Sequence, residues 1–479
     1  MWTFVLGIVV CVLLVCNVIV FYHNDYIDPS GKSVSVNISN FGFGTRKQLI
    51  VFDVDVDKID MSNKIFAPMA WSDVDTPLEW QPSGIEIKGS GLGERKKLNW
   101  AFEIWGPANS SVACTSVETC KDDKAELFQF DEDYEDYVLR GGFMEPTLIR
   151  DVVPSQMKGG ILQHTLVDVL FKHESEYTYE GTYILYPSIQ RRLLEKRLNW
   201  DKKGKAKCND VDEAALIGEF TQASKGRKYP CEEFDLDVKM RYPKCDMEEC
   251  LHNKTNEYFS LLSMTNTTEV HLDIQSFADT FLMEKLMING DFPFASQYFY
   301  VDPDNLFHSG PRWDFDECSW RFPRNTWDFY NNFISPMPLW LHLGTYEPFL
   351  ELLELQRKST TQLNYDVFQS VAIKRINQYK LGYFDKNIAR WKPFGNKYIS
   401  SFSNPYYLLP TGFTKQSMLE EIEFINQTLF NRKEWMLSNK IESFKQTSAI
   451  PQVVWVIIGW VGLLLVVVIV FIVSLVVSI

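Results

Sequence analysis

The sequence predicts an α+β fold with a β-rich first part, a helical C-terminal region and an apolar segment at each end of the chain. Three observations support this prediction. The 479 residues are 46% apolar, which is enough for a sizeable core. Strand-like runs precede residue 105, whereas helical spacing prevails after residue 336. Residues 2–22 and 453–479 contain no charged side chain, and each reaches the roughly 20 residues needed to cross a bilayer.

The β-rich part is predicted from three runs of β-branched and aromatic residues separated by turn-forming Gly, Pro and Asp. These runs are 49–54, 84–88 and 98–105. Helical spacing follows over 146–173, and strand character returns over 177–189. Residues 200–256 are charged, contain cysteines and lack apolar periodicity, so we expect an insertion outside the core. The domain is therefore predicted over 33–335.

A sharper pattern begins at Asp273. Phe277, Phe281 and Leu286 share one face of a predicted helix that Asn289-Gly290 would end by adopting a left-handed backbone. A hairpin follows, with its first strand over 297–301, its turn over 302–305 and a returning strand from Leu306 toward Trp313. Residues 336–446 are predicted as a helical extension of the same domain, with a last amphipathic helix over 415–444.

The apolar ends predict membrane attachment. Residues 1–22 form an uncleaved signal anchor or a signal peptide, and the length of the apolar run favours the anchor. Residues 453–479 form a transmembrane helix or a GPI-attachment tail, and their length favours the helix. The formal net charge of -14 argues against a nucleic-acid partner.

Residues 23–452 are predicted to be lumenal or extracellular. Five glycosylation sequons lie in this stretch, at Asn37, Asn109, Asn253, Asn266 and Asn426. Seven of the nine cysteines lie there as well, and six could form three disulfides in an oxidising compartment. Cys114 with Cys120 and Cys245 with Cys250 are locally plausible pairs, while the pairing of Cys208 and Cys231 is left open.

A set of carboxylates has an order along the chain that is compatible with phosphoryl transfer. Asp291 follows the predicted helix, and Asp314 and Asp316 follow the hairpin, about 23 residues later. Phosphoryl transfer from ATP needs a carboxylate near the acceptor hydroxyl and further carboxylates that hold Mg²⁺. A lysine that enters an N-terminal strand would contact phosphate, and Lys96 and Lys97 are the candidates. Asp-x-Asp pairs occur elsewhere in the chain, so spacing alone does not decide the site.

The stretch from Gly310 to Asp316, Gly-Pro-Arg-Trp-Asp-Phe-Asp, resembles the signature of the CotH family of spore-coat kinase-like proteins. Asn289-Gly290-Asp291 is similar to that family's Asn-x-Asp loop. Weaker matches in the same order are Ile87–Gly91 with Lys96-Lys97, Tyr137–Arg140 with Arg150, and Tyr179–Leu185.

The resemblance implies a two-lobed, atypical protein-kinase-like domain that uses ATP with Mg²⁺ or Mn²⁺ to phosphorylate Ser or Thr of secreted or surface proteins. Asp291 would then be the catalytic residue, and Asp314 and Asp316 the metal ligands. Lys96 or Lys97 would contact phosphate, and Gln297 would stand near the second metal position.

Two departures leave alternatives open. Tyr186-Pro187 replaces a Glu that usually follows the family's Tyr-x-Gly-x-Tyr-x-Leu strand, and Ser296-Gln297 replaces an Asn near the loop Asp. A catalytically inactive surface glycoprotein with a structural or recognition role is therefore one alternative. A lumenal, metal-dependent glycosyltransferase is another, because an anchor and an Asp-x-Asp site are typical of that class as well.

Overall fold

The computed structural model describes most of the region between the apolar ends. The described residues are 35–36, 48–61, 63–72, 79–88, 97–108, 113–128, 130, 132–142, 145–174, 176–189, 193–194, 216–221, 229–231, 236–242, 272–289, 292, 296–302, 306–316, 318–319, 343–344, 346–391 and 414–439. Both predicted membrane segments lie outside these ranges. Within them, no helix has the length and apolar character needed to cross a bilayer.

The larger sheet has eleven strands among the described residues, in the order β3-β6-β7-β9-β11-β10-β2-β4-β5, with β1 beside β11 and β8 beside β7. Strands β2 and β10 are parallel, and the other pairs are antiparallel. The strands are β1 (Ser35–Val36), β2 (Gln48–Asp55), β3 (Ile65–Phe66), β4 (Met69–Ser72), β5 (Glu79–Gln81), β6 (Ser83–Lys88), β7 (Asn99–Pro107), β8 (Cys120–Asp122), β9 (Asp136–Arg140), β10 (Thr165–His173) and β11 (Glu176–Pro187). The runs predicted at 49–54, 84–88, 98–105 and 177–189 are therefore strands.

Aromatic side chains fill the core on this sheet. The rings of Phe52 and Phe171 stack with centroids 5.2 Å apart, and Trp100 lies 4.9 Å from Phe171. Phe102 stacks on Tyr137 of β9 at 5.3 Å. Such rings bury large apolar areas and add specific pairing energy. They fix β9, and with it the side chain of Arg140 at the end of that strand.

The helix predicted over 146–173 is wrong in most of its length. The structure has a short helix α1 (Val152–Gln156), and residues Thr165–His173 form strand β10 in the sheet. Val167 and Val169 to Phe171 are buried, so the strand is covered on both faces and its apolar residues do not alternate. A short apolar run of this kind cannot be told from a helix by periodicity.

The second sheet contains five described strands in the order β13-β14-β12-β15-β16. They are β12 (Leu216–Thr221), β13 (Tyr229–Cys231), β14 (Leu236–Tyr242), β15 (Gln297–Val301) and β16 (Phe307–Ser309). The predicted hairpin is the β15-β16 pair. The placement of 200–256 outside the core needs correction, because β12 pairs with β15 and Ile217 is fully buried in the main core.

Four helices of seven or more described residues follow α1: α2 (Ile274–Met287), α3 (Glu347–Lys380), α4 (Asp385–Trp391) and α5 (Lys415–Ser438). Asp273 caps α2, because its Oδ1 accepts from the backbone N–H groups of Gln275 and Ser276. The predicted end at Asn289-Gly290 is shifted, since Ile288 takes the left-handed conformation with φ of 54°. Residues 336–446 are helical wherever the structure describes an element in them, as predicted.

Mixed helix and sheet confirm the α+β fold class. Cys114 and Cys120 form the disulfide that was expected from their spacing, with Cα atoms 4.7 Å apart, and it closes the turn before β8. Cys208, Cys245 and Cys250 lie outside the described residues. The backbone of Cys231 is described as part of β13, but nothing is described of its side chain or of a disulfide partner. The two-lobed, kinase-like arrangement stays a prediction.

Candidate functional site

Three carboxylates surround the guanidinium of Arg140 at the end of β9. Arg140 Nη1 lies 2.7 Å from Asp314 Oδ1. Arg140 Nη2 lies 3.3 Å from Asp316 Oδ2 and 3.0 Å from Asp151 Oδ2. Arg140 Nε also donates to Asp151 Oδ2 at 3.2 Å. We call these four residues the Arg140 cluster. The sequence-predicted metal ligands Asp314 and Asp316 are thus brought together.

The turn after β16 presents Asp314 and Asp316. Asp314 has a positive φ of 66°, a conformation that Asp and Asn adopt more readily than most residues. Its Oδ2 accepts from the Ser296 hydroxyl at 2.8 Å. The backbone N–H of Phe315 donates to Asp151 Oδ1 at 2.9 Å. Asp151 therefore holds the turn at the residue between Asp314 and Asp316.

Electrostatic forces in the cluster are strong because its members are largely buried. Burial alone lowers the pKa of the Arg140 guanidinium, but the carboxylates of Asp151, Asp314 and Asp316 outweigh burial and raise that pKa. Burial raises the pKa of the Asp151 carboxyl, although Arg140 opposes the shift. The side chain of Asp314 is the most accessible, at 28% exposed against 10% for Asp316. A ligand would therefore reach Asp314 first.

The donor set of the cluster fits a hard divalent cation. Carboxylate oxygens of Asp314 and Asp316, with the Ser296 hydroxyl beside them, are the ligand types that Mg²⁺ and Mn²⁺ prefer. Their present partner is a cation as well, the guanidinium of Arg140.

Asp291, the predicted catalytic residue, lies outside the described residues, but Asn289 and Phe292 on either side of it are described. Asn289 forms a β-bridge with Cys318, and Ser319 N donates to Ile288 O at 3.3 Å. Asn289 precedes Asp291 by two residues, and Cys318 follows Asp316 by two residues. The chain at Ile288 and Asn289 therefore lies beside the chain at Cys318 and Ser319.

Lys97 is buried between β11 and α4. Its Nζ donates to the backbone oxygen of Thr182 at 2.6 Å and to Asn387 Oδ1 at 3.1 Å. It also lies 4.7 Å from the ring centroid of Tyr183. Lys96 lies outside the described residues. The predicted phosphate contact of either lysine stays a prediction, and for Lys97 it would require the ammonium to exchange partners.

Gln297, at the start of β15, is buried and donates from Nε2 to Glu284 Oε1 of α2 at 3.2 Å. It lines a small pocket of about 10 Å³ with Glu284, Arg312 and Trp313, room for about one water molecule. Its amide therefore joins α2 to the hairpin here, and its role beside a metal stays a prediction.

A buried charge network fixes the segment that ends in Asp151. Arg150 Nη2 lies 2.5 Å from Glu421 Oε1 of α5, and Arg150 Nε donates to Cys318 O at 2.7 Å. Glu145 Oε1 lies 3.4 Å from Arg150 Nη1, and burial raises the pKa of Glu145 to about 8. Arg375 of α3 donates to Thr147 O at 2.9 Å. Helices α3 and α5 thus hold the segment before Asp151 in place.

Of the predicted glycosylation sites, only Asn426 lies in the part of the chain that the structure describes. It is half-buried in α5, and its Oδ1 accepts from the hydroxyl of Tyr365 at 3.2 Å and from the amide of Gln369. Asn37, Asn109, Asn253 and Asn266 lie outside the described residues.

Sequence reasoning gave no role to Arg140, Asp151 or Ser296. A usable signal was present for Arg140, because it ends an otherwise apolar strand, Tyr137–Leu139, and a buried guanidinium requires a counter-ion. A similar signal was present for Asp151. It follows Arg150 and the apolar pair Leu148-Ile149, so a charged side chain beside buried residues again requires a partner of opposite charge. Nothing in the local sequence of Ser296 indicates its contact with Asp314.

His308 joins the two elements that lead into the site. Its Nδ1 lies 2.8 Å from Asp273 at the start of α2, and its Nε2 lies 3.0 Å from Asp302 in the hairpin. Burial by itself lowers the pKa of His308, but hydrogen bonds to Asp273 and Asp302 outweigh burial and raise it. The charged ring donates to both carboxylates, whereas the neutral ring donates to one.

We expect His308 to stabilise the protein most in mildly acidic solution. Because its folded pKa lies above its unfolded pKa of about 6.5, this stability is fully present below pH 6.5 and is lost as pH rises through the folded pKa. His308→Gln should lower the free energy of unfolding by about 1 kcal/mol at pH 5.5 and by less at pH 8.5. Denaturant unfolding of both proteins at the two pH values measures this. An equal loss at both would contradict the role of the charge.

The family model described as CotH kinase protein matches residues 85–387, more than half of the chain. The chain belongs to the CotH kinase protein family. The resemblance read from the sequence is thereby confirmed. The CotH match begins in β6, ends in α4 and includes all four residues of the Arg140 cluster. It does not include α5, which supplies Glu421. A search of curated proteins found no match.

Proposed function

We propose that this CotH-family chain is a kinase that transfers the terminal phosphate of ATP to Ser or Thr residues of secreted or surface proteins. The observation that carries the proposal is the pair Asp314 and Asp316, whose carboxylates both contact the guanidinium of Arg140. Paired carboxylates of this kind supply the oxygen ligands that phosphoryl transfer requires.

Each residue has a defined role in the proposal. Asp314 and Asp316 would hold Mg²⁺ or Mn²⁺, and Ser296 orients Asp314 through its hydroxyl. The bound cation would neutralise charge on the phosphates of ATP. Asp291 would accept the proton of the substrate hydroxyl, as the catalytic-loop carboxylate does in protein kinases. The substrate hydroxyl would then be placed for attack on the terminal phosphate.

We place the kinase on a membrane, with residues 23–452 on the lumenal or extracellular side. Five sequons and the disulfide between Cys114 and Cys120 support an oxidising, glycosylating compartment. The apolar segments 2–22 and 453–479 support a membrane partner. The net charge of -14 disfavours nucleic acid as a partner.

A catalytically inactive surface glycoprotein is the second candidate function. Two observations favour it: Lys97 donates to Thr182 and Asn387, and Gln297 donates to Glu284. Lys97 and Gln297, two of the residues that were predicted to contact nucleotide or metal, are therefore engaged within the protein. For this candidate we expect ATP with Mg²⁺ to stabilise the protein little.

Thermal unfolding of the full chain in detergent separates these functions. The chain would be heated alone, with ATP or with a UDP-sugar, each with Mg²⁺ or Mn²⁺. A ligand at about 100 times its Kd adds about 2.7 kcal/mol to the stability. We expect ATP with metal to raise Tm in the natural chain and not in Asp314→Asn. No shift with any nucleotide would favour the inactive glycoprotein, and a shift with UDP-sugar and Mn²⁺ alone would favour a glycosyltransferase.

A further inference from the structure

We propose that Arg140 is the resident counter-ion of Asp314 and Asp316, and that Asp151 is the positioning residue that retains Arg140 when a divalent cation binds the pair. The inference deepens the proposed function and rests on it, because it concerns the same cation site. It assigns roles to two residues that are neither nucleotide contacts nor metal ligands.

The contacts of the guanidinium are divided unequally. Asp151 Oδ2 accepts from both Nε and Nη2 of Arg140, at 3.2 and 3.0 Å. Asp314 Oδ1 lies 2.7 Å from Arg140 Nη1. Asp316 Oδ2 lies 3.3 Å from Arg140 Nη2, which it shares with Asp151. Arg140 can therefore give up its contacts with Asp314 and Asp316 while Asp151 still holds it by two donors.

The charges of the cluster point to a divalent cation. Three carboxylates and one guanidinium leave a net charge of -2 in a largely buried place. Like charges that lie close together in such a place favour the binding of a cation. Without Asp151 the net charge would be -1, and without Arg140 it would be -3. Asp151 thus keeps the cluster at the charge that one divalent cation balances.

Asp151 also fixes the spacing of the pair. Its Oδ1 accepts from the backbone N–H of Phe315, the residue between Asp314 and Asp316. One carboxylate therefore positions both the arginine and the turn. Its own position is held by its neighbour Arg150, which contacts Glu421 and Cys318 O. Arg140 stabilises the cation-free protein and competes with the cation for Asp314.

The test is a Mn²⁺ titration of the full chain in detergent without nucleotide, with free Mn²⁺ measured by electron paramagnetic resonance. Asp151→Asn should bind Mn²⁺ about tenfold more weakly, because a negative charge is lost and Arg140 retains only Asp314 and Asp316 as partners. Arg140→Gln should bind about tenfold more tightly, since the competing cation is gone. Arg140→Gln should also unfold at a lower temperature without Mn²⁺.

Two further variants complete the design. Arg140→Lys keeps the positive charge, but the lysine ammonium lacks the planar guanidinium that contacts three carboxylates at once. Its affinity for Mn²⁺ should therefore lie between those of the natural chain and Arg140→Gln. This variant decides the question if Arg140→Gln does not fold. Glu180→Gln is the matched control, because Glu180 is a buried carboxylate paired with Arg390 outside the cluster. Its Mn²⁺ affinity should equal that of the natural chain.

The outcomes distinguish the two proposals. If Asp314→Asn abolishes Mn²⁺ binding but Asp151→Asn and Arg140→Lys bind like the natural chain, the inference is wrong and the proposed function stands. If the natural chain shows no Mn²⁺ binding that depends on Asp314, the inference fails, whereas the proposed function fails only if ATP with metal gives no stabilisation that depends on Asp314. Opposite changes in Asp151→Asn and Arg140→Gln support the inference.

Discussion

Asp314→Asn is expected to lower the rate of phosphoryl transfer at least about a hundredfold, the scale seen when one group that stabilises transition-state charge is removed. Asn is the informative substitution, because the φ of 66° at this position suits Asn better than Ala. The amide also keeps an oxygen for the Ser296 hydroxyl. Arg140 still pairs with Asp151 and Asp316, so the fold should be retained.

The measurement is transfer of labelled phosphate from ATP to a general acceptor protein, with Tm recorded for each variant. Asp291→Asn should lose activity to a similar degree if Asp291 is the proton acceptor. Asp279→Asn is the matched control, since Asp279 is a buried carboxylate that pairs with Lys158 at 2.9 Å away from the cluster. Full activity in Asp314→Asn would remove Asp314 from the site.

Arg150→Met is expected to lower the free energy of unfolding by about 3–5 kcal/mol, the cost of leaving a buried charge without its partner. Arg150 donates to Glu421, Cys318 O and Ser319 O, and its side chain is 5% exposed. Without it, the carboxylate of Glu421 stays buried and loses the guanidinium that lies 2.5 Å from it. Methionine fills a similar volume, so packing should change little.

Denaturant unfolding measures this loss, and the double variant Arg150→Met with Glu421→Met tests its cause. Removing both charges should cost much less than the sum of the single changes, because neither charge then stays buried without the other. Arg390→Met is a suitable control, since Arg390 is 20% exposed and pairs with Glu180 at 3.4 Å. A loss below 1 kcal/mol in Arg150→Met would show that the network does not hold this segment.

Local patterns in the sequence predicted much of the fold. β-Branched and aromatic residues, which favour strands, predicted the strands at 48–55, 83–88 and 99–107. Apolar residues at helical spacing predicted the helix at 274–287. The strand at 165–173 could not be identified in this way, because the surrounding sheet buries it on both faces. Ile288 adopts a positive φ although it is β-branched, so tertiary contacts override its local preference.

The candidate site was predictable only in part for a related reason. Asp314 and Asp316 are two residues apart, and a family resemblance drew attention to them. Arg140 and Asp151 reach the same place from the end of β9 and the start of α1, more than 160 residues earlier in the chain. Pairing between such distant segments is set by the packing of the sheet and leaves no periodic signal in the sequence.

Helix α5 sets a limit on how this protein can be shortened for expression. The family match ends at residue 387, but Met418, Ile422, Ile425 and Leu429 of α5 are fully buried in the main core. A recombinant fragment that ends at the family boundary would lack α5. The part of the core that these four side chains cover would then be exposed, and Arg150 would lose its contact with Glu421. A soluble fragment should therefore extend through residue 438, and poor behaviour of a shorter one would say nothing about its catalytic competence.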